Sequence, residues 1–243
     1  MNQKSHKPFH FKQFTLNQKF AAMKIGTDGI LLGAWANCQD CKHMIDVGTG
    51  TGVIALMLAQ KNSSAEIDAL EIDHNAIKDA KRNFETSPWK NRLTLIHEDF
   101  SKWNNKNRYD LIISNPPFFK NSLKPNDDSR AIARHVNSLN SKSLSKFAFT
   151  QLSSDGRVYL IAPIHQLNEI KIHFFENHLY PSRVCLVKPK PYKEPHRVLL
   201  EFRREKIEPV IDTIVIENDT RHEYTDDYLS LIHISEPTRP VTI

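Results

Sequence analysis

The sequence predicts an α/β fold: a mostly parallel, seven-stranded sheet with an antiparallel edge and helices on both faces. From residue 43 short strands alternate with helical runs, and the strands are apolar along their whole length, as in a parallel sheet covered on both sides. Beyond residue 180 strands follow one another with no full helix between the last two, which predicts the antiparallel edge. At 243 residues, 40% hydrophobic and 25% charged, the chain has the size and composition of a single such domain.

The elements follow in order. Residues 9–16, Phe-His-Phe-Lys-Gln-Phe-Thr-Leu, alternate apolar and polar and read as a short strand. Residues 24–35 hold a short helix that Thr27 or Asp28 is placed to cap. His43–Val47 is the first strand of the alternating region, and the turn Gly48-Thr-Gly-Thr-Gly52 leads into a helix over Val53–Lys61. Glu66–Glu71 is a strand, 75–85 a helix, and Leu93–His97 and Tyr109–Ser114 two further strands. A helix over 139–152, a strand over 157–162, and strands over 182–187, 197–202 and 212–216 complete the set. Residues 234–243, with two prolines and no usable period, predict a loose tail.

Composition narrows the function classes. A formal net charge of +5, from 33 Lys and Arg against 28 Asp and Glu, permits a polyanionic partner without requiring one. Three cysteines exclude a disulfide framework and fit a reducing compartment. Cys38 and Cys41 form a C-x-x-C, but zinc needs two more ligands and only Cys185 remains as a sulfur donor, so chance spacing is the better account and no metal is expected. No apolar run nears the ~18 residues of a membrane helix, and the first residues lack the apolar stretch of a signal peptide. A soluble, cytoplasmic protein with no membrane partner, acting as a monomer, is expected.

Ligands of open α/β sheets bind beyond the carboxyl ends of the strands. There stands Asp46-Val-Gly-Thr-Gly-Thr-Gly52, whose Gly48, Gly50 and Gly52 let backbone N–H groups approach a ligand. By itself such a loop also suits a dinucleotide or a packing turn. Val53 occupies the position where a dinucleotide fingerprint wants Gly or Ala. Asp46 is poor company for a pyrophosphate and suits a cationic ligand such as S-adenosylmethionine, with its ammonium and sulfonium. Glu71, 19 residues past Gly52, stands at the distance of an acid that grips a ribose diol, the alternative being a solvated strand-end carboxylate. Asp99 is placed to accept from an adenine amino group with Phe100 against the ring, or simply to face solvent.

Directly after the Tyr109–Ser114 strand comes Asn115-Pro-Pro-Phe118. An exocyclic amine on adenine is a weak nucleophile because its lone pair is delocalised into the ring. Two acceptors, the Asn115 side-chain oxygen and the Pro116 carbonyl, favour a pyramidal nitrogen aimed at an activated methyl group. The prolines hold those acceptors stiff, which is where such sites gain stabilisation, and Phe118 offers a face for stacking. Taken alone, the tripeptide also fits a stiff turn whose Asn makes a local hydrogen bond.

With these residues in place the sequence resembles the class I amino-methyltransferases with an N-P-P-aromatic motif, and within them the bacterial tRNA1(Val) (adenine-37-N6)-methyltransferases. The resemblance rests on Phe11-Lys-Gln-Phe14, the segment Met23-Lys-Ile-Gly-Thr-Asp-Gly-Ile-Leu-Leu-Gly-Ala-Trp35, the glycine turn with Ala55-Leu-Met-Leu-Ala-Gln60, Ser87-Pro-Trp89, Asp110-Leu-Ile-Ile-Ser-Asn-Pro-Pro117 and Pro195-His-Arg-Val-Leu-Leu200. It spans residues 9 to 228. It implies a Rossmann-like sheet, S-adenosylmethionine as cofactor, and N6-methyladenosine formed beside the anticodon of a valine tRNA. By position, Thr27, Asp28, Gly48, Gly50, Glu71 and Asp99 would serve the cofactor, joined by Asp46, Gly52, Phe100 and Asn115 from the residue chemistry. Asn115, Pro116 and Phe118 would serve the target base; the family's aromatic is often Tyr, so Phe118 keeps the stack and lacks the hydroxyl. The same acceptors suit a guanine amine in rRNA or a glutamine amide, and a silent RNA-binding protein is the reading outside enzymes.

Phosphate contacts are expected from Arg130 and Arg134, in the loop after the motif, and from Lys190 and Arg197. Residues 1–36 read as an N-terminal strand and cofactor-site helix, joined in one domain with 37–228. From Leu229 the chain departs from the family, so 229–243 is expected to be disordered, or a frameshift or assembly scar.

Overall fold

In the computed structural model, which describes residues 8–105, 108–117 and 139–233, the chain opens with a hairpin. β1 (Phe9–His10) pairs antiparallel with β2 (Thr15–Leu16), where the sequence predicts one strand. Phe11 and Phe14 explain the fold-back. Their rings stack at 4.2 Å, and Phe11 N–H donates to the Phe14 carbonyl at 2.9 Å.

The alternating region then runs α1 (Thr27–Trp35), β3 (His43–Val47), α2 (Val53–Lys61), β4 (Glu66–Glu71), α3 (His74–Glu85), β5 (Leu93–His97), β6 (Tyr109–Ser114), α4 (Ser141–Gln151), β7 (Leu152–Pro163), α5 (Leu167–Glu176), β8 (Tyr180–Lys188), β9 (Arg197–Arg203), β10 (Val210–Val215) and α6 (Asp226–Ile232). Side-chain caps start three of the helices: Asp73 accepts from Asn75 and Ala76 N–H, Asn140 from Ser143, and Thr225 from Tyr228. α1 departs from expectation, because its cap position is Gly26 and no side chain caps it. Asp28 lies in the first turn, where a carboxylate complements the helix dipole. α5, unassigned from sequence, buries Ile170 and Phe174 one turn apart. β7 pairs with β6 from Arg157 onward as expected, and the preceding residues 153–156 bulge out between the Tyr109–Leu152 and Leu111–Arg157 pairs.

The main sheet has eight strands rather than seven, in the order β10-β8-β9-β7-β6-β3-β4-β5. The antiparallel edge is also corrected. β9 alone is reversed and lies inside the sheet between β7 and β8, while β10 at the edge runs parallel to β8. The cause is connection length. β9 ends at the end of the sheet where the other strands begin, so the short link through residues 204–209 restores the forward direction in β10. Strand order reverses around β3, with β4 and β5 on one side and β6 and β7 on the other, and a ligand crevice forms at such a switch point.

Two apolar clusters cover the two faces. One joins Leu31, Trp35, Ile54, Met57 and Phe84 with Phe11 and Phe14, so the residues before 37 share their core with the sheet. The other joins Phe147, Ile170 and Phe174 with Val158 and Leu200. Cys38 and Cys41 are buried free thiols in the first cluster, the latter pushed up to about 12 by burial. Residues 229–232, expected to be disordered, belong to α6, and Ile232 is buried with Tyr228 in the first cluster. Residues 234–243 lie outside the described residues.

Gly52, at the start of α2, has φ +84, and a Cβ there would meet the Phe84 ring at 2.4 Å. Gly52→Ala is therefore expected to cost about 2–4 kcal/mol from left-handed strain and overpacking, measured as urea-unfolding free energy.

Candidate active site

β3 and β6 are adjacent and parallel, with Asp46 in register with Ile113. Ser114 Oγ donates to the Val47 carbonyl at 2.8 Å, so the two chain segments leave the sheet side by side. A cavity of about 300 Å³ opens there. Gly48 and Gly50 line it after β3, Leu70 and Glu71 at the end of β4, Glu98, Asp99 and Phe100 after β5, and Asn115 and Pro117 after β6. The glycine turn and the Asn-Pro-Pro segment thus share one cleft.

The turn is tied to β4 by Gly48 and Thr49 N–H groups, both donating to the Leu70 carbonyl at 2.9 Å. Gly50 has φ +58 with open space where a Cβ would stand, so its backbone is accessible to a ligand. Glu71 accepts from Gly50 N–H at 2.7 Å and from Ile72 and Asp73 N–H at 2.9 Å. These bonds fix the carboxylate and leave acceptor capacity on its oxygens; burial pushes its pKa above the ordinary value. Asp99 accepts from the Ser101 N–H and hydroxyl. Phe100 is buried edge-to-face against Phe147 at 5.6 Å.

Several expected residues stand elsewhere. Asp46 is absent from the cavity wall and fully buried beneath the turn, where Thr49 Oγ1 donates to its Oδ2 at 2.6 Å and Oδ1 has no hydrogen-bond partner within 3.5 Å among the described residues. Burial pushes its carboxyl up to about 7. Gly52 faces Phe84 rather than the cleft. Thr27 and Asp28 are not in the wall either. Asp28 Oδ2 accepts from Arg197 Nε at 2.9 Å, which ties Arg197 to the first turn of α1. A Cβ on neighbouring Gly29 would lie 3.9 Å from Asn115 Nδ2, so α1 backs the Asn115 site. Lys190 Nζ donates to the Asp219 carbonyl. Pro116 is buried beside Asn115. Phe118, Arg130 and Arg134 lie outside the described residues.

The sequence reading missed the strap that closes one side of the cavity, Ala21, Ala22 and Met23, and the lining residues Ile72, Asp73, Ala76 and Leu139. This strap is fastened by α3. Asp79, 1% exposed, accepts from Lys19, Phe20 and Ala21 N–H at 3.1, 2.7 and 2.7 Å. Asn83 accepts from Asn17 N–H at 2.7 Å and donates to the Asn17 and Thr51 carbonyls. Asp79 and Asn83, four residues apart on a predicted helix, were a readable signal: one helical face with two short polar groups among apolar neighbours.

A parallel sheet with a switch-point cleft, a glycine turn, a strand-end acid and an Asn-Pro-Pro acceptor segment define a class I methyltransferase. The chain belongs to the methyltransferase small domain family, which it matches over residues 15–173, and its cofactor is S-adenosylmethionine. It is 41% identical over 224 residues to the tRNA1(Val) (adenine(37)-N6)-methyltransferase of Bacteroides thetaiotaomicron, covering 92% of this chain and 94% of that one. Proteins of the same name from Christiangramia forsetii and Trichodesmium erythraeum are 41% and 40% identical, covering 94% and 92% of this chain and 97% and 95% of theirs. Among solved structures it resembles a predicted O-methyltransferase of Agrobacterium tumefaciens (TM-score 0.65, 16% identity, 86% of this chain and 96% of that one). It also resembles a ribosomal protein L11 methylase of Lactobacillus delbrueckii subsp. bulgaricus (0.57, 17%, 79% and 84%). At these identities the structural likeness shows the fold.

The cavity fits that cofactor: two lining glycines, Gly48 and Gly50, without Cβ atoms, a fixed carboxylate for a diol, and an apolar ring beside Asp99. Asp79→Ala frees the strap and is expected to weaken S-adenosylmethionine binding roughly tenfold, measured by calorimetry on variant and wild type. Asp46 gives a pH dependence. Its folded-state pKa is raised, so the folded chain holds the proton more tightly than the unfolded one. Stability then falls as pH rises from about 4 to about 7 and levels off above. Asp46→Asn removes that slope. Between pH 5 and 8 the unliganded wild type is expected to lose roughly 2–3 kcal/mol more than the variant in urea unfolding.

Proposed function

We propose that this chain transfers a methyl group from S-adenosylmethionine to the exocyclic N6 of adenine 37 in tRNA1(Val). The observation that carries the reading is the shared cleft of Gly48, Gly50 and Asn115. The substrate follows from relatives about 41% identical over most of the chain that bear that activity in their names.

When bound, S-adenosylmethionine supplies a methyl group activated by its sulfonium. Gly48 and Gly50 leave room for the methionine part of the ligand, Glu71 accepts from its ribose hydroxyls, and Asp99 with Phe100 takes its adenine. Asn115 Oδ1 and the Pro116 carbonyl accept the two N–H bonds of the target amine, which localises the nitrogen lone pair. Stiff, partly buried acceptors need no reorganisation as the nitrogen gains positive charge. Phe118 stacks on the target base. The base must leave its stack to reach Asn115, which an anticodon loop allows more readily than a duplex. No described helix is long and apolar enough to cross a membrane, and tRNA as substrate supports a cytoplasmic location.

Asn115→Ala is expected to slow methyl transfer ~100- to 1000-fold with cofactor affinity nearly intact. Mass spectrometry of tRNA nucleosides and of nuclease-generated fragments, after incubation with labelled cofactor, reads the rate, the product and its position. N6-methyladenosine at position 37 supports the assignment, and methylguanosine or an unmodified tRNA contradicts it.

A further inference from the structure

The loop between β8 and β9 leaves the sheet at the same end as the active-site cleft, because β8 runs parallel to β3 and β6. Its sequence is Lys188-Pro-Lys-Pro-Tyr-Lys-Glu-Pro-His-Arg197. Lys193 N–H donates to the Lys190 carbonyl at 3.1 Å, closing a β-turn with Pro191 and Tyr192 at its centre. The only described non-glycine residues at positive φ are His178 and His222. Tyr192 therefore has the negative φ of a type I turn, in which proline is favoured at the first central position. The turn is held at its base. Ile216 and Glu217 N–H groups donate to the Lys188 and Pro189 carbonyls at 2.9 and 3.0 Å, Lys190 Nζ donates to the Asp219 carbonyl at 2.8 Å, and His196 N–H donates to Val187 at 3.0 Å.

The turn thus presents an aromatic ring to solvent on a fixed stalk. Tyr192 is 64% exposed, although the fold offers no packing reason to leave a ring at that tip. Lys193 Nζ lies 5.5 Å from the ring centroid. The stretch holds four cationic side chains, Lys188, Lys190, Lys193 and Arg197, against one carboxylate, Glu194. It is linked to the reaction centre through Arg197, which pairs with Asp28 beside Gly29, the residue that backs Asn115.

We infer that the Lys190–Lys193 turn is a second RNA contact: Tyr192 stacks on an unpaired base of the substrate while Lys190 and Lys193 face its phosphates. An exposed ring between lysines matches both halves of a single-stranded nucleotide, the π-face and the charge. Lys190 keeps two ammonium protons for phosphate beyond its bond to Asp219. The inference rests on RNA being the substrate, and it places one nucleotide of the anticodon arm on this turn while the target adenine occupies the Asn115 cleft.

The test is steady-state methylation by the full chain with tRNA and S-adenosylmethionine each varied, alongside tRNA binding at several salt concentrations. Tyr192→Ala is expected to raise the KM for tRNA about tenfold, with kcat and the KM for S-adenosylmethionine unchanged. Tyr192→Phe, which keeps the ring, should stay within about twofold of wild type, and Lys193→Ala should reduce the slope of log affinity against log salt by about one. A wild type that methylates tRNA while Tyr192→Ala keeps its KM overturns the contact alone. Equal loss in Tyr192→Phe and Tyr192→Ala overturns the stacking role. A wild type that binds S-adenosylmethionine and methylates no tRNA overturns the substrate assignment, and this contact with it. Matching thermal melts exclude misfolding, as expected for a solvent-exposed side chain.

Discussion

β3 and β6 lie next to each other at the centre of the sheet, and the Ser114–Val47 hydrogen bond holds their carboxyl ends together at 2.8 Å. The glycine turn follows one strand directly and the acceptor segment follows the other, so neither has the slack to drift. Methyl transfer needs donor and acceptor aligned within a fraction of an ångström. A fixed strand register between two buried strands provides that alignment where a pair of long loops would not.

Around that pair the fold spends buried polar groups on holding backbone. Asp46 pins Thr49 inside the turn, Glu71 gathers three amides at the end of β4, and Asp79 gathers three from the strap. Each is a short acid whose hydrogen bonds gain strength from a low local dielectric. Two of these three acids, Asp46 and Asp79, support the cavity from outside its wall. Asp46 does so by holding the Thr49 hydroxyl, and Asp79 by holding the strap amides.

The sheet was legible in the sequence wherever one strand gives way to one helix. The strands at His43–Val47, Glu66–Glu71, Leu93–His97 and Tyr109–Ser114 have their expected bounds because their apolar runs end sharply at turn residues. Long-range pairing was less legible. Nothing local in residues 210–215 distinguishes a parallel edge strand from an antiparallel one, so β10 was misassigned and the reversed strand was placed at the edge. The second half of the short helix at 226–232 was expected to be disordered from Leu229 onward; its Ile232 docks with Tyr228 on a distant core, which no local pattern shows. The residues at or just beyond strand ends that the sequence singled out, Gly48, Gly50, Glu71, Asp99 and Asn115, all line the cavity. Ala21, Ala22 and Met23 were not singled out, since small apolar residues carry no chemical signature and reach the cleft only through α3. Asp28 and Arg197, assigned to ligands from the sequence, pair with each other at 2.9 Å, a contact between residues 169 positions apart that no local pattern reveals.

The central claim is that one cleft brings the activated methyl and the Asn115 acceptor together. The most direct test is a crystal structure of the chain with S-adenosylhomocysteine. The account requires the ribose at Glu71 and the sulfur facing Asn115, with space for one amine nitrogen roughly 3–3.5 Å from the position a methyl carbon on that sulfur would take. A sulfur turned away from Asn115, or a ligand bound in a different cleft, would contradict it.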